Sequence, residues 1–149
     1  MEGIDAEPVT SWFAEHVPEA TGPLTFDLIA GGHSNLTYRV EDATGAAWVL
    51  RRPPLGHVLA TAHDMGREHA VITALGPTDV PVPRTRGLCT DEAVNGAPFY
   101  VMDFVEGQVI RNGDLARQLT EGQRANAGRS IVDVLARIHA VDVDAVGLG

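Results

Sequence analysis

A short run of small and polar residues has the composition of a phosphate-binding loop. A glycine pair lies between two strand-like segments and is followed by a histidine, a small hydroxyl and an amide: Gly31, Gly32, His33, Ser34 and Asn35. Glycines let the backbone come close to a ligand, and successive N–H groups can then bind phosphate oxygens. Taken alone, such a segment is more often only a turn, so its interpretation depends on the other residues.

A second candidate is a basic residue and an acidic residue on consecutive elements. Arg51 ends a strand-like segment, and Glu68 follows 17 residues later in a helical pattern, where it shares a face with Val71, Ile72 and Leu75. A carboxylate on a buried face is costly unless a cation pairs with it, and Arg51 is the nearest candidate along the chain. The alternative is that Glu68 reaches solvent from a partly exposed helix.

The charge balance limits the partners of this protein. Eleven basic residues, all arginine, stand against twenty acidic residues, and the formal charge is −9. The resulting field repels polyanions, so we expect binding neither to nucleic acid nor to anionic membranes. A bound phosphate would need a local device made of backbone amides or a placed arginine. Without lysine, any role that usually belongs to an ammonium group must be filled by a guanidinium.

Several sequence features point to a soluble, reducing environment. The length of 149 residues with 44% hydrophobic and 21% charged residues is typical of one globular domain or a part of a larger one. Cys89 is the single cysteine, which excludes an internal disulfide, and six histidines without a His-x-x-x-His pair argue against a zinc site. We find neither a signal peptide nor a run of about 20 apolar residues, so we expect a cytoplasmic protein.

Hydrophobic periodicity predicts an α+β fold. An amphipathic helix starts at Pro8, and strands are predicted over 24–30, 35–41 and from Trp48 to the prolines at 53–54. A helix is expected over 61–75, followed by an extended run at 80–83. Two more strands, 84–90 and 98–105, flank a turn at 91–96, and Thr120-x-x-Gln123 is a capping box that starts a last helix. The sequence thus predicts five strands, mostly in a meander.

The motifs in this order resemble the aminoglycoside phosphotransferase/choline kinase family, whose fold is protein-kinase-like. The similarity lies in four segments, which are 31–40 (GGHSNLTYRV), 48–54 (WVLRRPP), 67–71 (REHAV) and 99–107 (FYVMDFVEG). Within the family, the branch related to the kinase-like domain of acyl-CoA dehydrogenase family members 10 and 11 is most similar. The resemblance implies a five-stranded antiparallel sheet with a helix, forming an N-lobe, and the start of a helical C-lobe.

The resemblance also implies roles for individual residues. The amides of Gly32 to Asn35 would hold ATP phosphates, with Ser34 adding its hydroxyl, and Arg51, anchored by Glu68, would hold the α- and β-phosphates. Most phosphotransferases have lysine at the Arg51 position; arginine keeps the charge and adds bidentate geometry. Met102 would lie behind the adenine, the Asp103 carbonyl would accept from its amine, and the Val105 amide would donate to its ring.

The catalytic loop of the family, His-Gly-Asp-x-x-x-x-Asn, is not found in this sequence, so we predict no catalytic or metal-binding residue within the chain. Asp142 and Asp144 follow the last helix too closely to replace it. The resemblance implies ATP and Mg²⁺ as cofactors, with the metal ligands beyond residue 149, and a hydroxyl acceptor that is an aminoglycoside, a choline-like alcohol, a sugar or a hydroxyacyl-CoA.

Three functional hypotheses follow. The first is an ATP-dependent phosphotransferase present as its N-terminal part, with an N-terminal helix over 1–23, a nucleotide-binding lobe over 24–107 and a linker with the first C-lobe helices over 108–149. The second is a nucleotide-binding or interaction module that does not catalyse, and the third is a small α+β domain with a glycine hairpin. We expect Ile131, Val134, Leu135 and Ile138 to lack packing partners, which would favour self-association.

Overall fold

A computed structural model describes residues 2–30, 35–56, 63–110 and 112–149. The described residues form two compact units, one within 1–73 and 83–104 and the other within 74–82 and 105–149. No helix in these ranges combines the length and the apolar character that crossing a membrane requires. The predicted glycine segment 31–34 and the beginning of the predicted helix at 61–62 lie outside the described residues.

The first unit contains a five-stranded antiparallel sheet, as predicted. Its strands are β1 (Thr25–Ala30), β2 (Leu36–Glu41), β3 (Ala47–Arg52), β4 (Thr85–Cys89) and β5 (Phe99–Asp103). The spatial order is β1-β2-β3-β5-β4, and every neighbouring pair is antiparallel. β1 to β3 form the predicted meander, whereas β5 is inserted between β3 and β4.

The first helix, α1 (Ala6–His16), covers one face of the sheet. Side chains alternate along each strand, so β2 directs Tyr38 and Val40 to this face, and both are fully buried. α1 contributes Trp12 and Phe13, whose rings pack edge-on against Phe99 at 5.0 Å and Trp48 at 6.2 Å between centroids. The aromatic layer between α1 and the sheet is the hydrophobic core of this unit, and it leaves the opposite sheet face for other contacts.

The second helix, α2 (Met65–Leu75), differs in part from the prediction. His63 and Asp64 are not helical, and the Asp64 carboxylate accepts from the Arg67 amide at 2.9 Å, as an N-terminal capping residue does. Val71, which we predicted on the buried face with Glu68, is 38% exposed. At 100° per residue Val71 lies about 60° around the helix from Glu68, on the side away from the buried Met65, and this displacement turns it to solvent.

A short helix replaces the predicted turn between β4 and β5. α3 spans Glu92–Asn95; the Asp91 side chain accepts from the Ala93 amide, and Gly96 ends the helix at φ 68°. The predicted positive φ at the Asn-Gly pair is therefore adopted by the glycine. The side chain of Asn95 is buried and its Oδ1 accepts from the Asp5 amide at 2.9 Å, so this connection fixes the chain just before α1.

The second unit contains α4 (Gly113–Gln118) and α5 (Glu121–His139). The predicted capping box is present: the Thr120 side chain accepts from the Gln123 amide, and the Gln123 side chain accepts from the Thr120 amide. α4 was not among the predicted elements. One side of α5 is apolar and exposed, with Ile131, Leu135 and Ile138 at 69%, 49% and 45%. This agrees with the expectation of missing partners, except that Val134 is half-buried.

Candidate functional site

Three side chains form a row across the sheet face that lies opposite α1. Thr37 on β2 is paired with Arg51 on β3, and Arg51 is paired with Tyr100 on β5. Because paired residues of adjacent strands point to the same face, these side chains lie next to each other. The row meets Glu68 of α2.

The Glu68 carboxylate accepts hydrogen bonds from three side chains. Arg51 Nε lies 2.8 Å and Tyr100 Oη 3.1 Å from Oε2, and Asn35 Nδ2 lies 2.7 Å from Oε1. Arg51 also donates through Nη1 to the Thr37 hydroxyl at 2.9 Å. The contact predicted between Arg51 and Glu68 is therefore formed, and it belongs to a larger network that joins β2, β3, β5 and α2.

The network is half-buried, and its charges remain accessible to a ligand. The Arg51 and Glu68 side chains are 29% and 31% exposed. Among the described residues no hydrogen bond engages Arg51 Nη2, which leaves this end of the guanidinium available. Tyr100 is buried; burial and the nearby Glu68 carboxylate raise the pKa of its phenol well above the usual range. Tyr100 therefore stays protonated and acts as a donor to Glu68.

Asn35 extends the network toward the segment that precedes α2. The residue is buried, and its Oδ1 lies 2.6 Å from His63 Nδ1. Asn35 is the last residue of the predicted phosphate-binding segment and directly precedes β2. The other four predicted residues of that segment, Gly31, Gly32, His33 and Ser34, lie outside the described residues, so their role stays a prediction.

The predicted adenine-binding residues lie at and after the end of β5. Met102 is half-buried and is paired with Val49 on the sheet face that carries Arg51. The Asp103 amide donates to the Arg84 carbonyl at 2.9 Å, and its carboxylate forms an ion pair with Arg86, which also pairs with Glu19. Val105 is 67% exposed. The proposed main-chain contacts of Asp103 and Val105 with adenine stay predictions.

Sequence reasoning missed Thr37, Tyr100 and His63. The first two could have been found from the strand alternation, because each stands at the parity that places it on the Arg51 face once the strand register is known. His63 had no comparable signal, since it was predicted within the helix over 61–75, whereas in the structure it precedes α2. In the described part of the chain, no cluster of three or more histidine, cysteine, aspartate or glutamate residues is arranged to hold a metal ion.

A match to a family model identifies the protein family of the chain. The model described as "Phosphotransferase enzyme family" matches residues 25–149, which is most of the chain. The chain belongs to this phosphotransferase family. The match begins at β1, so the sheet, the Glu68 network and both helices of the second unit lie within the shared region.

Individual relatives of the chain agree with this family assignment. A probable acyl-CoA dehydrogenase, IBR3, from Arabidopsis thaliana is 41% identical over 86% of the chain, and acyl-CoA dehydrogenase family member 10 from Mus musculus is 36% identical over 87%. The chain covers only 16% and 12% of these two proteins. A crystal structure from Ralstonia eutropha, assigned as an aminoglycoside phosphotransferase, is 34% identical, has a TM-score of 0.77 and is matched over 97% of the chain and 41% of its own length. The sheet and helices thus have a kinase-like fold, as the resemblance implied.

Proposed function

We propose that this phosphotransferase is an ATP-dependent kinase, or the N-terminal part of one, that transfers the γ-phosphate to a hydroxyl of a small molecule. The observation that carries the proposal is the arrangement of Arg51, which Glu68 and Thr37 hold by two of its nitrogens. A guanidinium fixed in this way presents its remaining N–H groups in one direction, and phosphate oxygens are suitable acceptors.

Local charge supports an anionic ligand at Arg51 even though the protein is acidic overall. The formal charge of −9 repels phosphate at long range. Glu68 neutralises part of the Arg51 charge. Asn35 and Tyr100 also donate hydrogen bonds to the Glu68 carboxylate, so its negative charge is not directed at Arg51 alone. The guanidinium therefore keeps an electropositive edge. In a phosphoryl transfer, such an edge stabilises the charge on the phosphate oxygens.

The described residues fit a nucleotide better than a metal ion. Arg51 offers donors to phosphate, and the end of β5 brings a half-buried Met102 to the same sheet face, where an adenine ring would find an apolar surface. A bound Mg²⁺ would supply positive charge to offset that of the phosphates, and we expect its protein ligands outside these residues. The acceptor classes are those that the family resemblance implies. Among them we favour hydroxyacyl-CoA or another small alcohol, because the chain is similar to acyl-CoA dehydrogenase family proteins.

A nucleotide titration tests the proposal. We expect ATP with Mg²⁺ to bind the protein in isothermal titration calorimetry, and Arg51→Ala to weaken binding roughly tenfold to hundredfold, because a charge-assisted hydrogen bond is lost. Arg129→Ala is the matched control: it removes one positive charge from an exposed position on α5. Equal affinities for the protein and Arg51→Ala, or no binding of ATP at all, would refute the proposal.

An assay of ADP release separates the kinase from the non-catalytic module considered from the sequence. Both should bind ATP, but only the kinase should release ADP when it is supplied with a panel of small alcohols and hydroxyacyl-CoA compounds. ATP binding without turnover in the full-length polypeptide would favour the module.

A further inference from the structure

We propose that Asn35 is a positioning residue that fastens its own main chain, directly before β2, to α2 through its side-chain amide. The inference rests on the proposed function and deepens it, because it assigns a task to the Asn35 side chain in addition to the task expected of its backbone. Its basis is that both ends of one buried amide are bonded to side chains from other segments, Glu68 and His63.

The chemistry of the partners fixes the orientation of the amide. An ionised carboxylate only accepts hydrogen bonds, so the amide nitrogen must face Glu68, at 2.7 Å from Oε1. The amide oxygen then faces His63 Nδ1 at 2.6 Å, and this nitrogen must carry the proton. A flipped amide would place its oxygen against the Glu68 carboxylate, so two acceptors would face each other without a proton between them. The two contacts therefore support each other.

These hydrogen bonds connect the Asn35 main chain to the Arg51 guanidinium through Glu68. Asn35 is 5% exposed and follows Ser34 directly, so its anchored side chain leaves its own main chain little freedom. Glu68 also accepts from Arg51 Nε, so one carboxylate fixes both Asn35 and Arg51. The Asn35 main chain and the Arg51 guanidinium are thereby held in a constant relation before ATP binds, and such preorganisation raises affinity.

An amide and carboxylate exchange tests this positioning role. Asn35→Asp places a carboxylate against Glu68, and Glu68→Gln replaces the acceptor with an amide; each single variant creates a mismatch. In the double variant, the new amide nitrogen at position 68 can donate to the new carboxylate at position 35, while the amide oxygen still accepts from Arg51 and Tyr100. All three hydrogen bonds at position 68 are then restored, and the net charge equals that of the original protein.

We expect Asn35→Asp to weaken ATP binding at least tenfold at a temperature where circular dichroism shows it to be folded. The double variant should recover to within about threefold of the original affinity. A packing role alone would not predict recovery, because the second substitution adds no volume. If the original protein binds ATP and Asn35→Asp binds it equally well, the positioning role is refuted and the proposed function stands. If the double variant binds no better than Asn35→Asp, the linkage through Glu68 is refuted.

A spectroscopic readout tests the same linkage without nucleotide. In ¹H–¹⁵N correlation spectra, neutral His63 should be held as the Nδ1–H tautomer, and Asn35→Ala should remove this preference because the acceptor is lost. His69, whose ring lies 6.1 Å from the Tyr100 ring, serves as the internal control and should not change its tautomer. An unchanged His63 tautomer in Asn35→Ala would overturn the inference.

Discussion

Two adjacent arginines, Arg51 and Arg52, should differ in what they contribute. We consider Arg51→Met and Arg52→Met, which keep an unbranched apolar side chain and remove the guanidinium. Arg51 points to the Glu68 face, whereas Arg52 points to the α1 face and is 6% exposed. We expect the Arg52 substitution to reduce stability and the Arg51 substitution to reduce nucleotide affinity.

The contacts of each guanidinium set the expected magnitudes. Arg52 donates to three carbonyl oxygens, those of Gly3, Pro53 at 3.3 Å and Asn95 at 3.1 Å. Each buried carbonyl left without a donor should lower the free energy of unfolding by about 1 kcal/mol. Removing the buried charge offsets part of this loss, so we expect Arg52→Met to lower the free energy of unfolding by about 2–3 kcal/mol in total. For a chain of this length that corresponds to roughly 5–10 °C in Tm.

Arg51→Met should have a smaller effect on stability. Its ion pair with Glu68 is half-exposed, and pairs of this kind contribute about 1 kcal/mol or less. Glu68 also keeps its bonds from Asn35 and Tyr100, so the carboxylate is not left unpaired. We therefore expect the free energy of unfolding to fall by less than about 1 kcal/mol.

Urea unfolding followed by tryptophan fluorescence measures both effects, because Trp12 and Trp48 are 7% and 3% exposed in the core between α1 and the sheet. Titration with ATP, performed on the same samples below the unfolding transition, gives the affinities. The reasoning is refuted if Arg51→Met destabilises the protein as much as Arg52→Met. It is also refuted if folded Arg52→Met loses ATP binding while Arg51→Met retains it.

Three further predictions concern other parts of the molecule. Hydrogen bonds, chiefly from the Thr44 hydroxyl, lower the pKa of Asp42 to about 2. Because the pKa in the unfolded chain is about 3.9, the ionised carboxylate stabilises the folded state above that pH. The difference in urea midpoint between the original protein and Asp42→Asn should therefore be largest at pH 7 and shrink as the pH falls toward 2. Gly3→Ala should lower the free energy of unfolding by about 1–3 kcal/mol, because φ at Gly3 is +75° and the added Cβ would lie 2.6 Å from the Tyr38 hydroxyl. Gly45→Ala is the control: φ is +87° but the space around it is open, so this substitution should lower the free energy of unfolding only by the backbone strain. Leu135→Glu should reduce self-association in sedimentation velocity, because Leu135 is 49% exposed on the apolar side of α5.

Each of these predictions has an outcome that contradicts it. For Asp42, a midpoint difference that is the same at pH 7 and pH 2.5 would show that its ionisation is not coupled to folding. If Gly3→Ala and Gly45→Ala lowered the free energy of unfolding equally, the contact between the added Cβ and the Tyr38 hydroxyl would be relieved without loss of stability. For α5, a protein that is monomeric before substitution would show that the apolar side does not mediate association.

The sequence determined the local features of this protein. Alternation of apolar and polar residues predicted the five strands and placed Arg51 and Arg52 on opposite faces of β3, because side chains along a strand alternate by geometry. The Thr120–Gln123 pair predicted the start of α5, since a capping box involves residues only three positions apart. The position of Glu68 on the predicted helix face indicated that Arg51 would meet it, the family resemblance implied the same pair, and the pair is formed at 2.8 Å.

The tertiary structure decided what the local patterns could not contain. Insertion of β5 between β3 and β4 places Tyr100 beside Arg51, and this pairing joins residues 49 positions apart. The contacts of Glu68 with Asn35 and Tyr100 span 33 and 32 positions. Helix and strand periods repeat over a few residues, so they fix the face on which a side chain lies but not its neighbour on another element. That neighbour is set by strand order, by register and by the rotation of α2 that turns Val71 to solvent and Glu68 to the sheet.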